Sequence, residues 1–483
     1  MSTDDIQGLL YIGNAPCPAR EGETLAVSDP SDGQRFGSIA RGRAADIDAA
    51  VRAARAAFEG RWGRTPALER GRVLMRLAGL IDAHRESLAQ LESRDTGKPI
   101  GQARADAAAL SRYFEFYAGA ADKLHGQTIP YQDGYTVFTL REPHGVTGHI
   151  IPWNYPMQIL GRSVAAALAA GNACVVKPAE DASLSALRVA QLAAEAGLPA
   201  GAFNIVTGLG AEAGQALAEH PGIDHISFTG SPATGRKVAQ AAAAHHCPVT
   251  LELGGKSPQL VFEDADLEAA LPVLVGAIIQ NAGQTCSAGS RVLVAESLHD
   301  AVLERLAERF AALRAGPAGT DLDLGPLISR RQQQRVWDYL SDAQTDGLAF
   351  AAQGSVVDDA PAGGHYQAPV LLARVPPAHR LFQDEIFGPV LVTAAFRDER
   401  EAVALANGTA YGLAAGVWTR DGARQLRLAR ALRGGQVFIN NYGAGGGVEL
   451  PFGGTGASGH GREKGFEALY GFTALKTVAI RHG

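Results

Sequence analysis

The sequence predicts an α/β protein of two lobes, each built on a parallel sheet, with a small β-hairpin set apart from both. Three observations carry this. Short apolar runs, VTGHI from Val146, ACVVK from Ala173, FNIVT from Phe203, HISF from His225 and VTLEL from Val249, alternate with segments rich in alanine. That rhythm marks βα units, whose strands are covered on both faces and so read as unbroken apolar stretches. A second alternating stretch follows, with strands expected at 259–262, 291–295, 390–396 and 436–440. Finally, 128–141 alternates apolar and polar residues around Asp133-Gly134, a hairpin signal, and 473–481 reads as one more strand. Neither piece has an evident partner in its own lobe, and a small sheet with open edges suits contact between copies of the chain.

Before these lobes, the first hundred residues are expected to be mostly helical. Asp46 precedes Ile47, Val51, Ala54 and Phe58 at helical spacing and is read as an N-cap, and 67–91 carries the pattern over further turns.

Composition removes several function classes. Of 483 residues 58 are glycine, well above the usual ~7%. No G-X-Y period runs through them, and with 46% hydrophobic and 19% charged residues the chain is neither collagen-like nor disordered. The net charge is −6 (44 basic against 50 acidic residues) and no basic run is present, so no nucleic-acid partner is expected. The most apolar segment, 164–176, is interrupted by Gly171 and Asn172 and falls short of the ~20 residues that span a bilayer, so no membrane partner is expected. The start, 1–5, is acidic and no sustained apolar stretch follows it, which argues against a secretory signal and for a cytoplasmic protein. The four cysteines show no C-x-x-C spacing, so neither a metal site nor a disulfide framework is expected. A chemically active cysteine would act alone.

Cys286 is the candidate, set among Gln284, Thr285, Ser287 and glycines just before an expected strand. Its alternative is a buried cysteine acting as a small hydrophobe, but that role needs no polar neighbours. Glu252 ends the run VTLEL, where open α/β sheets bind ligands. Beside Leu251 and Leu253 its pKa should rise into the range of a general base, unless it merely meets water or an arginine. A nucleophile with a base suffices for covalent catalysis followed by hydrolysis. Asn154, in PWNYP, is held between Pro152 and Pro156 and can donate to an oxyanion. For a cofactor, Lys177 and Glu180 close one strand, and Gly230-Ser231 opens a helix after another, offering free N–H groups to a pyrophosphate. A glutamate there would hold ribose hydroxyls and repel a 2′-phosphate, favouring NAD over NADP. EIFGP at 385–389 and six glycines within 451–465 complete the motifs, each also open to a reading as loop chemistry.

In this order and spacing the motifs PWNYP, KPAE, FTGS, LELGGKSP, GQTCSAGSR, EIFGPV and PFGG resemble the aldehyde dehydrogenase superfamily over essentially the whole chain. The resemblance implies a Rossmann-like cofactor domain (1–123 and 144–253), an α/β catalytic domain (254–466) and a bridging hairpin segment (124–143 and 467–483) that pairs copies into a homodimer or homotetramer. It implies Cys286 as nucleophile, Asn154 with the Cys286 N–H as oxyanion donors and Glu252 as hydrolytic base. The NAD-binding residues it implies are Ile151, Pro152, Trp153, Lys177, Glu180, Gly230, Ser231, Leu253, Gly254, Glu385 and Phe387. Those facing the aldehyde are Tyr155, Arg162, Thr285, Ser287 and Phe452.

Two departures bear on the substrate. Where relatives often carry a proton-relay lysine, Ser163 stands here. Arg162 precedes it, at a position where arginine resembles semialdehyde and aromatic aldehyde dehydrogenases, which suggests a polar or carboxylate-bearing substrate or else a structural ion pair. The loop 441–447, NYGAGGG, is small where relatives carry bulky residues, which suggests a roomy pocket for bulky aldehydes. The alternatives on this fold are acyl transfer to coenzyme A, which Glu252 argues against, and a catalytically silent binding or structural protein, which the set Cys286, Glu252 and Asn154 argues against.

Overall fold

The structure is a computed structural model that describes residues 6–443 and 447–483. Five parallel strands form the centre of the first large sheet, in the order Val249–Glu252, His225–Thr229, Val146–Ile151, Ala173–Pro178, Phe203–Ile205. All but the first residue of these strands are buried, as apolar runs between two helical layers must be. Antiparallel strands close both edges. Gly459–His460 lies beside Val249–Glu252, and Leu10–Ile12 lies beside Phe203–Ile205.

The second sheet runs Ala349–Gln353, Val370–Ala373, Val390–Phe396, Arg291–Ala295, Pro258–Val261, Ala414–Trp418, Gln436–Ile439, and is parallel except at its first pair. Each large sheet organises its own apolar core. Between them lies a small group, Leu413 and Phe452 with Cys286 and Phe438 against it. The expected nucleophile therefore stands at the seam.

The hairpin and the tail solve each other's pairing problem. Thr473–Arg481 pairs antiparallel with Tyr135–Pro143 along its whole length, and Thr128–Ile129 takes the other side of that strand. The tail's solvent-facing residues include Leu475 and Ile480.

The N-terminal expectation needs three corrections. The first forty residues are not helical but hold five short strands, Ile6–Gly8, Leu10–Ile12, Ala15–Cys17, Thr24–Ser28 and Arg35–Ala40. The first helix is Ala44–Glu59, so Asp46 is its third residue rather than its cap. There its carboxylate accepts from the backbone N–H of Arg43, the capping residue, and from that of Arg20 in the preceding segment. The stretch 67–91 holds parts of two helices, Ala67–Ala83 and Arg85–Thr96, which meet at His84. Sequence reading also passed over Ala349–Gln353, Val370–Ala373 and Ala414–Trp418 as strands.

Among the described residues no helix is long and apolar enough to cross a membrane, and no cluster of His, Cys, Asp and Glu could hold a metal ion. The acidic start at 1–5 and residues 444–446 of the small-residue loop lie outside the described residues.

Candidate active site

The strand Val146–Ile151 delivers the chain to Pro152-Trp153-Asn154-Tyr155, and Pro156 starts the buried helix Pro156–Ala170 with the fixed φ that a first helical residue needs. Asn154 is thus held between two regular elements. Its Nδ2 donates to the Gln284 carbonyl at 2.9 Å, and its own carbonyl accepts from Asn281 Nδ2 at 2.9 Å. One amide N–H fastens the two loops together, which leaves the second for a ligand.

The Cys286 loop is tense. Asn281 and Ala282 both take left-handed backbone conformations (φ 50° and 53°), which side chains other than glycine adopt rarely. Gly283 follows at φ 73° and packs so closely on the Gly388 carbonyl that a Cβ would collide with it. Tyr155 OH pairs with Thr285 Oγ1 at 2.8 Å, and Tyr442 OH donates to the Ser287 carbonyl at 2.5 Å. These bonds pin the residues on either side of Cys286.

Behind Tyr155 lies a buried ion cluster. Lys98 Nζ reaches Glu92 Oε1 at 3.1 Å and also pairs with Asp106, and it stands 4.3 Å from the Tyr155 ring centroid. Glu92 Oε2 accepts from the Met157 N–H at 3.1 Å, and Asp106 accepts from Gln158 Nε2 at 2.5 Å. The cluster ties the start of helix Pro156–Ala170 to the N-terminal helices. Sequence reading missed it.

Two cavities meet at Cys286. The larger, about 780 Å³, runs past the carboxyl ends of the first sheet's strands. All eleven residues expected to bind NAD line it, together with Asn154 and Glu252. Lys177 Nζ and Glu180 Oε2 form an ion pair of 2.9 Å at one end. Helix Pro232–Ala243 points its N-terminus into the cleft, with Ser231 Oγ accepting from the Thr234 N–H at 3.2 Å. Glu385 packs on Gly254 so tightly that any side chain there would overlap its carboxylate, and its Oε1 accepts from the Gly255 N–H at 3.0 Å. Burial pushes Glu385 up to about 7. Trp153 and Phe387 meet edge to face, with centroids 5.4 Å apart. An anion site at a helix start, a carboxylate for hydroxyls and a wall of backbone turns fit a dinucleotide. Arg331, Gln332, Arg335 and Tyr411 also line the cleft and carried no motif in the sequence.

The smaller cavity, about 270 Å³, is walled by Tyr155, Arg162, Thr285, Ser287 and Phe452, the five residues expected on the aldehyde side. Tyr113, Gln158, Gln280, Tyr442 and Lys464 join them, none of which sequence reading selected. Arg162 is not a free receptor. It forms a buried ion pair with Glu463, donates to Thr229 Oγ1 at 3.2 Å, and lies 4.9 Å from the Phe452 ring centroid. Ser163 lines neither cavity and instead bonds the Ile159 carbonyl and His149.

Electrostatics favour an uncharged resting site. Burial pushes the Cys286 thiol up to about 12, with Arg162 pulling the other way. Glu252 is 1% exposed with both carboxylate oxygens unpaired, and burial holds its pKa far above the carboxylate range, opposed chiefly by Arg162. A buried carboxyl and a half-buried thiol facing one cleft are the pairing that base-assisted cysteine chemistry uses once each has lost its proton. Glu252 thus takes the raised pKa that its sequence position predicts.

Residues 18–478 match the family model described as the aldehyde dehydrogenase family. A hydroxyisobutyraldehyde dehydrogenase of Mycolicibacterium austroafricanum is 43% identical over 476 residues, covering 98% of this chain and 93% of the relative. A crystal structure from Burkholderia cenocepacia, assigned as an aldehyde dehydrogenase, superposes with a TM-score of 0.98 at 72% identity over 99% of this chain and 100% of its own. The NAD+ complex of an aldehyde dehydrogenase from Bacillus cereus superposes with a TM-score of 0.96 at 40% identity, over 99% of this chain and 97% of its own. The chain belongs to the aldehyde dehydrogenase family.

Proposed function

We propose that this enzyme oxidises an aldehyde to the carboxylic acid with NAD, through acyl intermediates on Cys286. The observation that carries the reading is the junction: Cys286 is the residue at which a cavity of substrate size opens onto a dinucleotide cleft that also holds Glu252. Bound NAD would accept the hydride. Lys177 and Glu180 would hold its adenosine ribose, Ser231 and the start of helix Pro232–Ala243 its pyrophosphate, and Glu385 with Phe387 its nicotinamide end.

Cys286 gives up its thiol proton to solvent, and Sγ adds to the aldehyde carbon and forms a C–S bond, while the carbonyl oxygen becomes the oxyanion of a tetrahedral thiohemiacetal. Asn154 Nδ2 and the Cys286 backbone N–H donate to that oxygen. Collapse expels a hydride from the carbon and leaves a thioester. Glu252 then takes a proton from water, whose oxygen attacks the thioester, breaking the C–S bond to give acid and thiol. The sum consumes aldehyde, NAD+ and water and yields acid, NADH and a proton. Glu252 distinguishes this from acyl transfer to coenzyme A, and product analysis with and without coenzyme A tests it: free acid is expected, and acyl-CoA would overturn hydrolysis.

Tyr155, Arg162, Thr285, Ser287 and Phe452 would shape the aldehyde side, whose mixed polar and apolar lining supports polar or bulky substrates. We assign 1–123 with 144–253 to the cofactor domain, 254–466 to the catalytic domain, and 124–143 with 467–483 to the contact that joins copies into a homodimer or homotetramer. Support for that contact comes from the open edge of Thr473–Arg481 with exposed Leu475 and Ile480. Light scattering on Leu475→Asp/Ile480→Asp is expected to show smaller assemblies. Four unpaired cysteines fit a reducing cytoplasm.

A further inference from the structure

We propose that Gln102 is a positioning residue for Cys286: its side-chain carbonyl clamps the left-handed turn at Asn281-Ala282 and so fixes where the thiol and the Asn154 amide meet the aldehyde. The inference rests on the oxidation reading above and adds a residue to its machinery. Gln102 is half-buried on helix Ile100–Ala120, far from the Cys286 loop in the chain, and sequence reading did not select it. Its Oε1 accepts from the Asn281 N–H at 2.9 Å. A backbone N–H only donates, so the amide must present its oxygen, and a side chain without an acceptor would leave that donor unmet.

The turn needs outside support. Asn281, Ala282 and Gly283 are left-handed in succession (φ 50°, 53° and 73°), a run that L residues resist unless their surroundings hold it. What holds it also builds the site. Asn281 Nδ2 donates to the Asn154 carbonyl, Asn154 Nδ2 donates to the Gln284 carbonyl, and Gln284 Nε2 donates back to the Asn281 carbonyl at 3.0 Å. This ring of amides closes just before Cys286, and the Gln102 bond ties it to the N-terminal helices. The same helix anchors the opposite wall. One turn beyond Gln102, Asp106 pairs with Lys98 and accepts from Gln158 Nε2 at 2.5 Å, and further along Tyr113 lines the aldehyde cavity beside Gln158. Without the clamp the turn relaxes, and the thiol, which burial pushes up to about 12, meets more water. Attack on the aldehyde then loses its geometry while the thiol becomes easier to alkylate.

The test compares Gln102→Met, which keeps an unbranched side chain but removes the carbonyl, with Gln102→Glu, which keeps an acceptor oxygen whether or not it is ionised. At saturating aldehyde, Gln102→Met is expected to lower kcat about thirtyfold with KM for NAD within about twofold, and Gln102→Glu to restore most of the loss. Iodoacetamide labelling, read peptide by peptide, should show Cys286 reacting at least about threefold faster in Gln102→Met, with the buried Cys174 and Cys247 still protected. An unchanged kcat overturns the proposal, as does a loss that Gln102→Glu shares in full. Labelling that rises at Cys174 and Cys247 as well as Cys286 marks a loosened fold and also overturns it. The labelling separates the two readings. If the wild type oxidises no aldehyde, yet Cys286 alone reacts faster in Gln102→Met, the oxidation reading fails and the clamp stands. If aldehyde is turned into acid but Cys286 labels alike in all three proteins, Gln102 does not position it.

Discussion

On the cofactor side of Cys286 the lining comes from turns at the carboxyl ends of parallel strands, Ile151 to Asn154, Lys177 to Glu180, Gly230-Ser231 and Glu252 to Gly254. On the aldehyde side it comes from side chains on helices Ile100–Ala120, Pro156–Ala170 and Leu267–Ile279, together with Tyr155, Gln280, Thr285 to Ser287, Tyr442, Gly443, Phe452 and Lys464. Backbone turns offer the same N–H groups whatever side chains surround them, which suits a partner that never changes. Helix side chains can be exchanged one by one without disturbing the sheet, which suits a wall that shapes a substrate. The difference teaches that one face of Cys286 is lined largely by backbone turns and the other largely by side chains.

Variants of the reacting residues should stop turnover while both sides still bind. Cys286→Ala is expected to lower kcat by about a thousandfold or more with KM for NAD little changed, read from initial rates of NADH formation. Retained turnover would separate the two cavities chemically. Glu252→Gln should slow steady turnover by roughly a hundredfold while sparing the first turnover, so that stopped flow shows a burst of NADH.

Between the sides sits the Lys98 cluster. Lys98→Met strands the Glu92 and Asp106 carboxylates in the core and should cost about 3–5 kcal/mol of stability, measured by denaturant titration. On the cofactor side alone, Glu180→Gln should raise KM for NAD by about tenfold and improve the use of NADP, leaving KM for aldehyde in place. A change in aldehyde KM would blur the division. The smallest effect expected is on pH. Both Cys286 and Glu252 have raised pKa values and act deprotonated, so kcat/KM should climb from neutral to alkaline pH, and Glu252→Gln should flatten the part that belongs to hydrolysis in kcat.

Legibility follows the same division. Strand-end residues could be read because buried parallel strands are apolar runs, and whatever polar residue closes such a run stands out. Glu252 and Lys177 announce themselves in this way. The opening strands could not be read, because segments of three residues such as Ile6–Gly8 are too short to show a period. Asp46 misled because an acidic residue suits the third helical position as well as the cap, there accepting from the backbone N–H of the capping residue, Arg43. Lys464 was hidden in a glycine-rich stretch that reads as loop, and its place beside Phe452 depends on a pairing between Phe452 and Glu463 that no local pattern encodes. Arg162 was visible as a candidate, but its partner Glu463 lies 301 residues away (463 − 162), and only the fold brings them together.

The account's central claim is that the acyl group rides on Cys286 between hydride transfer and hydrolysis. Intact-protein and peptide mass spectrometry of Glu252→Gln, mixed with aldehyde and NAD and quenched in acid, measures this directly. The account predicts an acyl adduct on Cys286 that matches the NADH burst and is absent without NAD. A burst of NADH with no adduct, or an adduct on another residue, would contradict it.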